Sequence, residues 1–362
     1  MHKKIKVGIT HGDINGIGYE VILKALDEQR MAELCTPVVY GSAKIAAAYR
    51  KALQMQQVSF TQIEDPTQAT GEGNYIINVV PESVTAEPGR ASAEAGTAAY
   101  AALDRAVADL KSGLIDVLVT APINKATIQS AEFAFPGHTE YLEAACGDEN
   151  SRALMILCNE TMRVALLTTH LPVAEVAKAV TREAIVEKLT LFNRSLQRDF
   201  GIHAPRIAVL ALNPHAGDGG LLGTEEKEII EPALAEAREH KIMAFGPYAA
   251  DGFFGAGSHT HFDGILAMYH DQGLAPFKAL SMDSGVNFTA GLPVVRTSPD
   301  HGTGFDIAGK GEASADSMRA AIYAAIDIYR NRISDDEAHR SPLRRQYYDK
   351  SGDNVVLDLS GD

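Results

Sequence analysis

A basic excess is missing from this chain. Its 362 residues carry 33 Lys and Arg against 47 Asp and Glu, for a net charge of −14. A phosphate backbone is bound through a basic surface, so nucleic acid is excluded as a partner. A small anionic ligand must instead be drawn in by a local basic pocket. Cysteine is scarce, with Cys35, Cys146 and Cys158 the only three and no CxxC spacing. Such an odd, sparse set fits reduced thiols in a cytoplasm and speaks against a disulfide framework. No apolar run is long enough to span a bilayer, and the short strand-like run directly after Met1-His2-Lys3-Lys4 leaves no place for a signal-peptide core. A soluble cytoplasmic protein without membrane association is expected. Internal repeats, low-complexity segments, a GxGxxG fingerprint and an HExxH motif are absent too.

What is present is alternation. The hydrophobic content of 46% is ordinary for a globular chain, and the length suits two domains or one large two-lobed unit. Short apolar runs at 6–10, 37–40, 75–80, 115–119, 153–157, 164–167, 207–212 and 264–268 read as buried strands. Between them fall helical patterns, the clearest at 92–111, where Ser92 can cap an alanine-rich body and Gly113 lies just past the end. Others are expected at 19–26, from the 135–140 segment to Cys146, at 183–199, at 225–240 and at 314–331. Strands alternating with helices predict an α/β fold with a mostly parallel sheet covered on both faces. The charged tail beyond Arg332 is expected to pack loosely until 355–359.

The chemistry concentrates after strand ends, where loops in open α/β sheets diverge and leave a crevice. The stretch 263–311 supplies His270, Asp271, Lys278, Asn287 and Arg296, the last three each beside a Gly or Pro expected to hold it on a turn. Either cation alone would read as a solvated surface charge; together they suit a small anion beside a metal. Asn124 and Lys125 follow another strand and are cleft candidates. The first turn of the helix after Gly137 can offer the His138 ring and the Thr139 hydroxyl to an anion. Three of the twelve histidines, His170, His215 and His270, each sit just past an apolar strand. Three imidazoles so placed make a first-row metal site with positions left open to substrate and water. Two look-alikes are set aside. The segment 304–311 mimics a phosphate loop, but Gly311 replaces the hydroxyl residue that would hold Mg²⁺. His259 and His261 precede their strand, at its amino end, and read as structural or surface residues.

Gly137-His138-Thr139-Glu140, Asn213-Pro214-His215-Ala216-Gly217, Tyr269-His270-Asp271-Gln272-Gly273 and the run from Arg296 to Thr303 resemble the 4-hydroxythreonine-4-phosphate dehydrogenases of pyridoxal phosphate synthesis. The resemblance covers nearly the whole chain. It implies an isocitrate/isopropylmalate dehydrogenase-like fold, with two α/β/α lobes and a cleft between them. The lobes are expected at 1–128 plus 275–362 on the cofactor side, and at 129–274 for substrate, metal and dimerisation. It implies a homodimer sharing each active site, with His170, His215 and His270 holding a divalent metal: zinc first, with magnesium or cobalt as alternatives. His138, Thr139, Lys278, Asn287 and Arg296 would contact substrate, and NAD or NADP would bind without a Rossmann fingerprint. Asp251 and Asp271 are candidates for orienting ligand histidines or moving protons, two roles left open. The segment 12–20 and the Gly252-Phe253 pair depart from the family pattern. The neighbouring readings are a paralogue acting on 4-phosphothreonate, 4-phosphoerythronate or a dihydrodiol, and, further off, a metal-dependent phosphoesterase or a non-catalytic metabolite binder.

Overall fold

The computed structural model describes residues 4–28, 30–149, 151–281 and 284–340, so the tail expectation for 341–362 lies outside the described residues. Among the described residues strands form at all eight apolar runs and at four further places: β1 (Ile5–Thr10), β2 (Cys35–Gly41), β3 (Phe60–Ile63), β4 (Asn74–Asn78), β5 (Val117–Thr120) and β6 (Leu154–Cys158). They continue as β7 (Arg163–Leu166), β8 (Arg206–Leu210), β9 (Met243–Tyr248), β10 (Gly264–Ala267), β11 (Val286–Ala290) and β12 (Arg296–Pro299). All join one sheet in the order β3-β4-β2-β1-β5-β12-β11-β6-β7-β10-β8-β9. Strands such as β2, β5 and β10 are buried along their whole length, as expected for strands covered by helices on both faces. The fold is α/β, as expected.

The sheet is less parallel than expected. β6 and β7 form an antiparallel hairpin, and β11 runs antiparallel to both β6 and β12. The hairpin forms because Asn159 Oδ1 accepts from the backbone N–H groups of Thr161 and Met162 at 2.9 and 2.7 Å, an Asx turn too short for a helical crossover.

Helix Ala93–Lys111 starts where Ser92 Oγ accepts from the Ala95 N–H at 3.2 Å. Its alanine face and Gly96 let it approach so closely that a Cβ on Gly96 would lie 1.9 Å from the Thr127 carbonyl oxygen. Helix Arg182–Arg198 is capped by Thr181 and buries Ile185, Leu189, Phe192 and Leu196 along one stripe. The expected 225–240 helix opens with a π-helical turn, Glu226–Ile230, before Glu231–Glu239. The last helix, Asp316–Arg340, runs past the expected end at 331, because Arg332 within it is buried against Asp199 and the carbonyls of Leu292 and Val294. Among the described residues no helix is long and apolar enough to cross a membrane.

Candidate active site

Beyond the carboxyl ends of β5, β7 and β12 lies a cavity of about 250 Å³. Lining it are Lys125, His138, Thr139, His170, Lys278, Asn287 and Arg296, seven of the twelve residues picked out by sequence. Two of their expected settings are corrected. Asn287 lies within β11 and Arg296 opens β12, while Lys278 sits in the last turn of helix His270–Leu280; none is on a turn. β11 and β12 are short and carry polar residues towards the cavity, which hides them from an apolar-run criterion. His270, expected in a loop, is the first residue of that helix.

Arg296 is 3% exposed at the middle of the sheet. Its Nε and Nη2 donate to Thr120 Oγ1 at 3.0 and 2.6 Å, and its Nη1 donates to Thr289 Oγ1 at 3.1 Å. Among the described residues no carboxylate forms an ion pair with it. Burial lowers its pKa to about 9, with Glu140 acting in the opposite sense, so it remains a cation at neutral pH. A buried charge without a counter-ion is costly, which marks the place for an anion.

The groups around it agree. His138 and Thr139 open helix His138–Cys146, whose first N–H groups and dipole favour negative charge. The His138 ring is pushed well below the usual histidine range, first by burial and then by Arg296 and Lys125, so it is neutral. His138 Nε2, Asn287 Oδ1 and His301 Nε2 are buried with no protein hydrogen-bond partner, the mark of atoms that meet a ligand. Lys278 Nζ lies 3.3 Å from Asp300 Oδ1, and burial raises the Asp300 pKa despite that cation. Lys125 lines the cavity, whereas Asn124 caps a turn by accepting from the N–H groups of Ala126 and Thr127.

The three histidines follow β7, β8 and β10, which lie side by side as β7-β10-β8, with β10 parallel to both neighbours. The rings of His170 and His270 are 6.3 Å apart, centroid to centroid. Glu140 Oε1 is 3.8 Å from His170 Nδ1, and this contact holds the Glu140 carboxyl below its usual range. His270 Nδ1 lies 2.7 Å from Asp271 Oδ1. His215 is not brought to this pair: it lines a separate cavity with Asp251, Tyr269 and Gln272, and no cluster of three metal-binding side chains forms among the described residues. The two look-alikes take structural places. Gly311 and Ala313 donate their N–H groups to Glu20, and His259 and His261 lie on the short turn Ser258–His261 before β10. Glu140, Asp300 and His301 were not singled out by sequence. The Glu140 within Gly137-His138-Thr139-Glu140 and the Asp300-His301 pair past β12 were the available signals.

A family model described as pyridoxal phosphate biosynthetic protein PdxA matches residues 33–325. The chain belongs to this family. The 4-hydroxythreonine-4-phosphate dehydrogenase of Bacteroides thetaiotaomicron is 60% identical over 356 residues, spanning 98% of this chain and 97% of that protein. Among solved structures, the PdxA-family likeness extends to the 4-hydroxythreonine-4-phosphate dehydrogenase of Klebsiella pneumoniae, with a TM-score of 0.77 and 35% identity over 90% of this chain and 100% of that one. A terephthalate 1,2-cis-dihydrodiol dehydrogenase from Burkholderia xenovorans is also similar, with a TM-score of 0.59 and 25% identity over 90% and 98% of the two chains. This PdxA-family chain is an enzyme.

Proposed function

We propose that this chain oxidises 4-phosphooxy-L-threonine to 2-amino-3-oxo-4-phosphooxybutanoate, with NAD or NADP as hydride acceptor and a divalent metal. The product then decarboxylates to 3-amino-2-oxopropyl phosphate on the route to pyridoxal 5'-phosphate. In this reading the enzyme works in the cytoplasm as a homodimer whose active sites are shared. The observation that carries it is Arg296, a buried guanidinium with hydroxyl partners only, beside a neutral His138 in a cavity sized for a small phosphorylated acid.

Arg296 and Lys278, with His138 and Thr139, clamp the phosphate and carboxylate; a guanidinium suits the first task because it can meet two oxygens at once. Asn287 Oδ1 accepts a hydrogen from the substrate's ammonium or hydroxyl group. The donor set supports a metal. Two imidazoles on one tetrahedral ion have centroids about 5 Å apart, given metal–nitrogen bonds of roughly 2 Å. The His170–His270 pair, at 6.3 Å, comes within a small ring shift of that. Asp271 against His270 Nδ1 leaves Nε2 for the ion, the usual carboxylate–histidine pairing. His215, with Asp251 in its own cavity, reaches the shared site from the partner subunit. A cation bound there (zinc, with magnesium or cobalt as alternatives) would supply polarisation of substrate oxygens, and a nicotinamide would supply the hydride acceptor. Asp251 and Asp271 orient histidines or move protons.

The test is nicotinamide reduction followed by absorbance with 4-phosphooxy-L-threonine, with and without a chelator. Turnover that the chelator abolishes and added metal restores is expected. The likeness to a dihydrodiol dehydrogenase favours one second reading, a paralogue. Faster turnover of a dihydrodiol, 4-phosphothreonate or 4-phosphoerythronate would establish it, and phosphate release without nicotinamide reduction would overturn both.

A further inference from the structure

The surroundings of Arg296 carry one step more. We propose that Thr120 and Thr289 are positioning residues that hold the Arg296 guanidinium in place without neutralising it, so that its full charge is left for the anionic group of the substrate. The proposal rests on the reading of Arg296 as the substrate's anion anchor.

Strand register delivers the arrangement. β12 lies between β5 and β11. In the antiparallel pair Phe288 faces Thr297, which sets Thr289 opposite Arg296 on the same face of the sheet. In the parallel pair Arg296 is matched with Leu118, and Thr120 lies two residues further along that face. Each neighbouring strand therefore contributes one hydroxyl, and both threonines are fully buried.

The chemistry of the clamp is selective. A guanidinium has five N–H donors, and three are committed here: Nε and one on Nη2 to Thr120, and one on Nη1 to Thr289. One N–H on each terminal nitrogen remains, the pair that meets an oxyanion in a two-pronged contact. A carboxylate in place of either hydroxyl would fix the side chain equally well but cancel its charge. Threonine accepts the hydrogen bond and adds no charge. Glu140, the acid that influences Arg296 most, is engaged with His170.

The experiment measures KM for the phosphorylated substrate, kcat, and inhibition by inorganic phosphate in the full-length enzyme and four variants: T120V, T120S, T289V and R296Q. Valine keeps the shape and removes only the hydroxyl. Loss of hydrogen bonds to a charged group is expected to raise KM and the phosphate inhibition constant about tenfold or more in T120V, and less in T289V, which loses a single bond. The change in kcat should be smaller, and T120S should recover most of the affinity. Wild-type KM and phosphate inhibition in T120V and T289V, beside an R296Q that loses both, would overturn the positioning role while leaving Arg296 as anchor. A T120V enzyme with a lowered melting temperature and unchanged KM would also overturn it. Unchanged KM in R296Q would remove the anchor reading itself. If T120V fails to fold, T289V and T120S decide by the same measurements.

Discussion

A histidine sealed from water titrates unlike one in a loop, and His11 shows the consequence for stability. It is fully buried after β1 and stacked on Tyr19 with centroids 5.4 Å apart. Burial outweighs the backbone groups of Gly12 and Ala98 and lowers its pKa from 6.5 to about 4. As pH falls below 6.5 the unfolded chain takes up this proton before the folded one does. Stability present above 6.5 is therefore lost progressively down to about 4, and a shift of this size amounts to about 3 kcal/mol. Denaturant unfolding between pH 7 and 4 should show a shallower decline in H11F than in the parent; parallel curves would remove His11 as the cause. That Lys278, Asn287 and Arg296 share a cavity was legible in the sequence because they crowd into one Gly- and Pro-punctuated stretch, and His138 and Thr139 stood out because they open a helix. Thr120 and Thr289 were not legible, since a threonine in a strand is ordinary until the register aims it at a buried charge. His301 was hidden by the same limit: only packing shows that its Nε2 has no partner.

Among elements, helix Gly18–Leu26 is tied to the segment that mimics a phosphate loop. Glu20, fully buried, accepts from Ala313 N–H at 2.9 Å and pairs with Lys24 Nζ at 2.9 Å, while Lys24 also donates to the carbonyls of Gly311 and Ala313. Lys24 is partly exposed, but removing Glu20 leaves the buried Ala313 N–H without its acceptor and the Lys24 ammonium without its counter-ion. E20A should therefore cost about 2–3 kcal/mol by denaturant unfolding. D336A, which breaks the exposed pair with Arg198, should cost less than about 1 kcal/mol. Equal costs would show that the tie contributes no more than a surface contact. Element by element, apolar runs and caps made most strands and the helices at 93–111 and 182–198 readable. The run of positive φ from His215 to Gly219 was not, because Ala216 adopts it against its ordinary preference and His215 and Asp218 only tolerate it. Glu226 helps to fix that loop by accepting from the N–H groups of Leu212 and Asn213, a contact invisible along the chain.

For the molecule as a whole, the separation of His215 from the His170–His270 pair has a direct test. If one protomer supplies His170 and its partner supplies His215, H170A and H215A are each inactive, yet a mixed dimer keeps one intact site. After subunit exchange from an equal mixture, half the dimers are mixed and each has one working site of two, so about a quarter of parental activity should return. No recovery, with exchange verified by mass, would place all the ligands of a site within one protomer.

The order of the strands also bears on synthesis. β11 and β12 come last in the chain, yet they occupy the middle of the sheet, between β5 and β6. Until residues 286–299 are in place, the strands on either side of the gap each present an unsatisfied border, at β5 and at β6. Closing the gap is a late, long-range event, and such borders invite pairing with another nascent chain. The strands that carry Asn287, Thr289 and Arg296 are the same ones that join the two flanks; if Arg296 anchors the substrate as proposed, an enzyme able to bind it is one whose sheet has been completed.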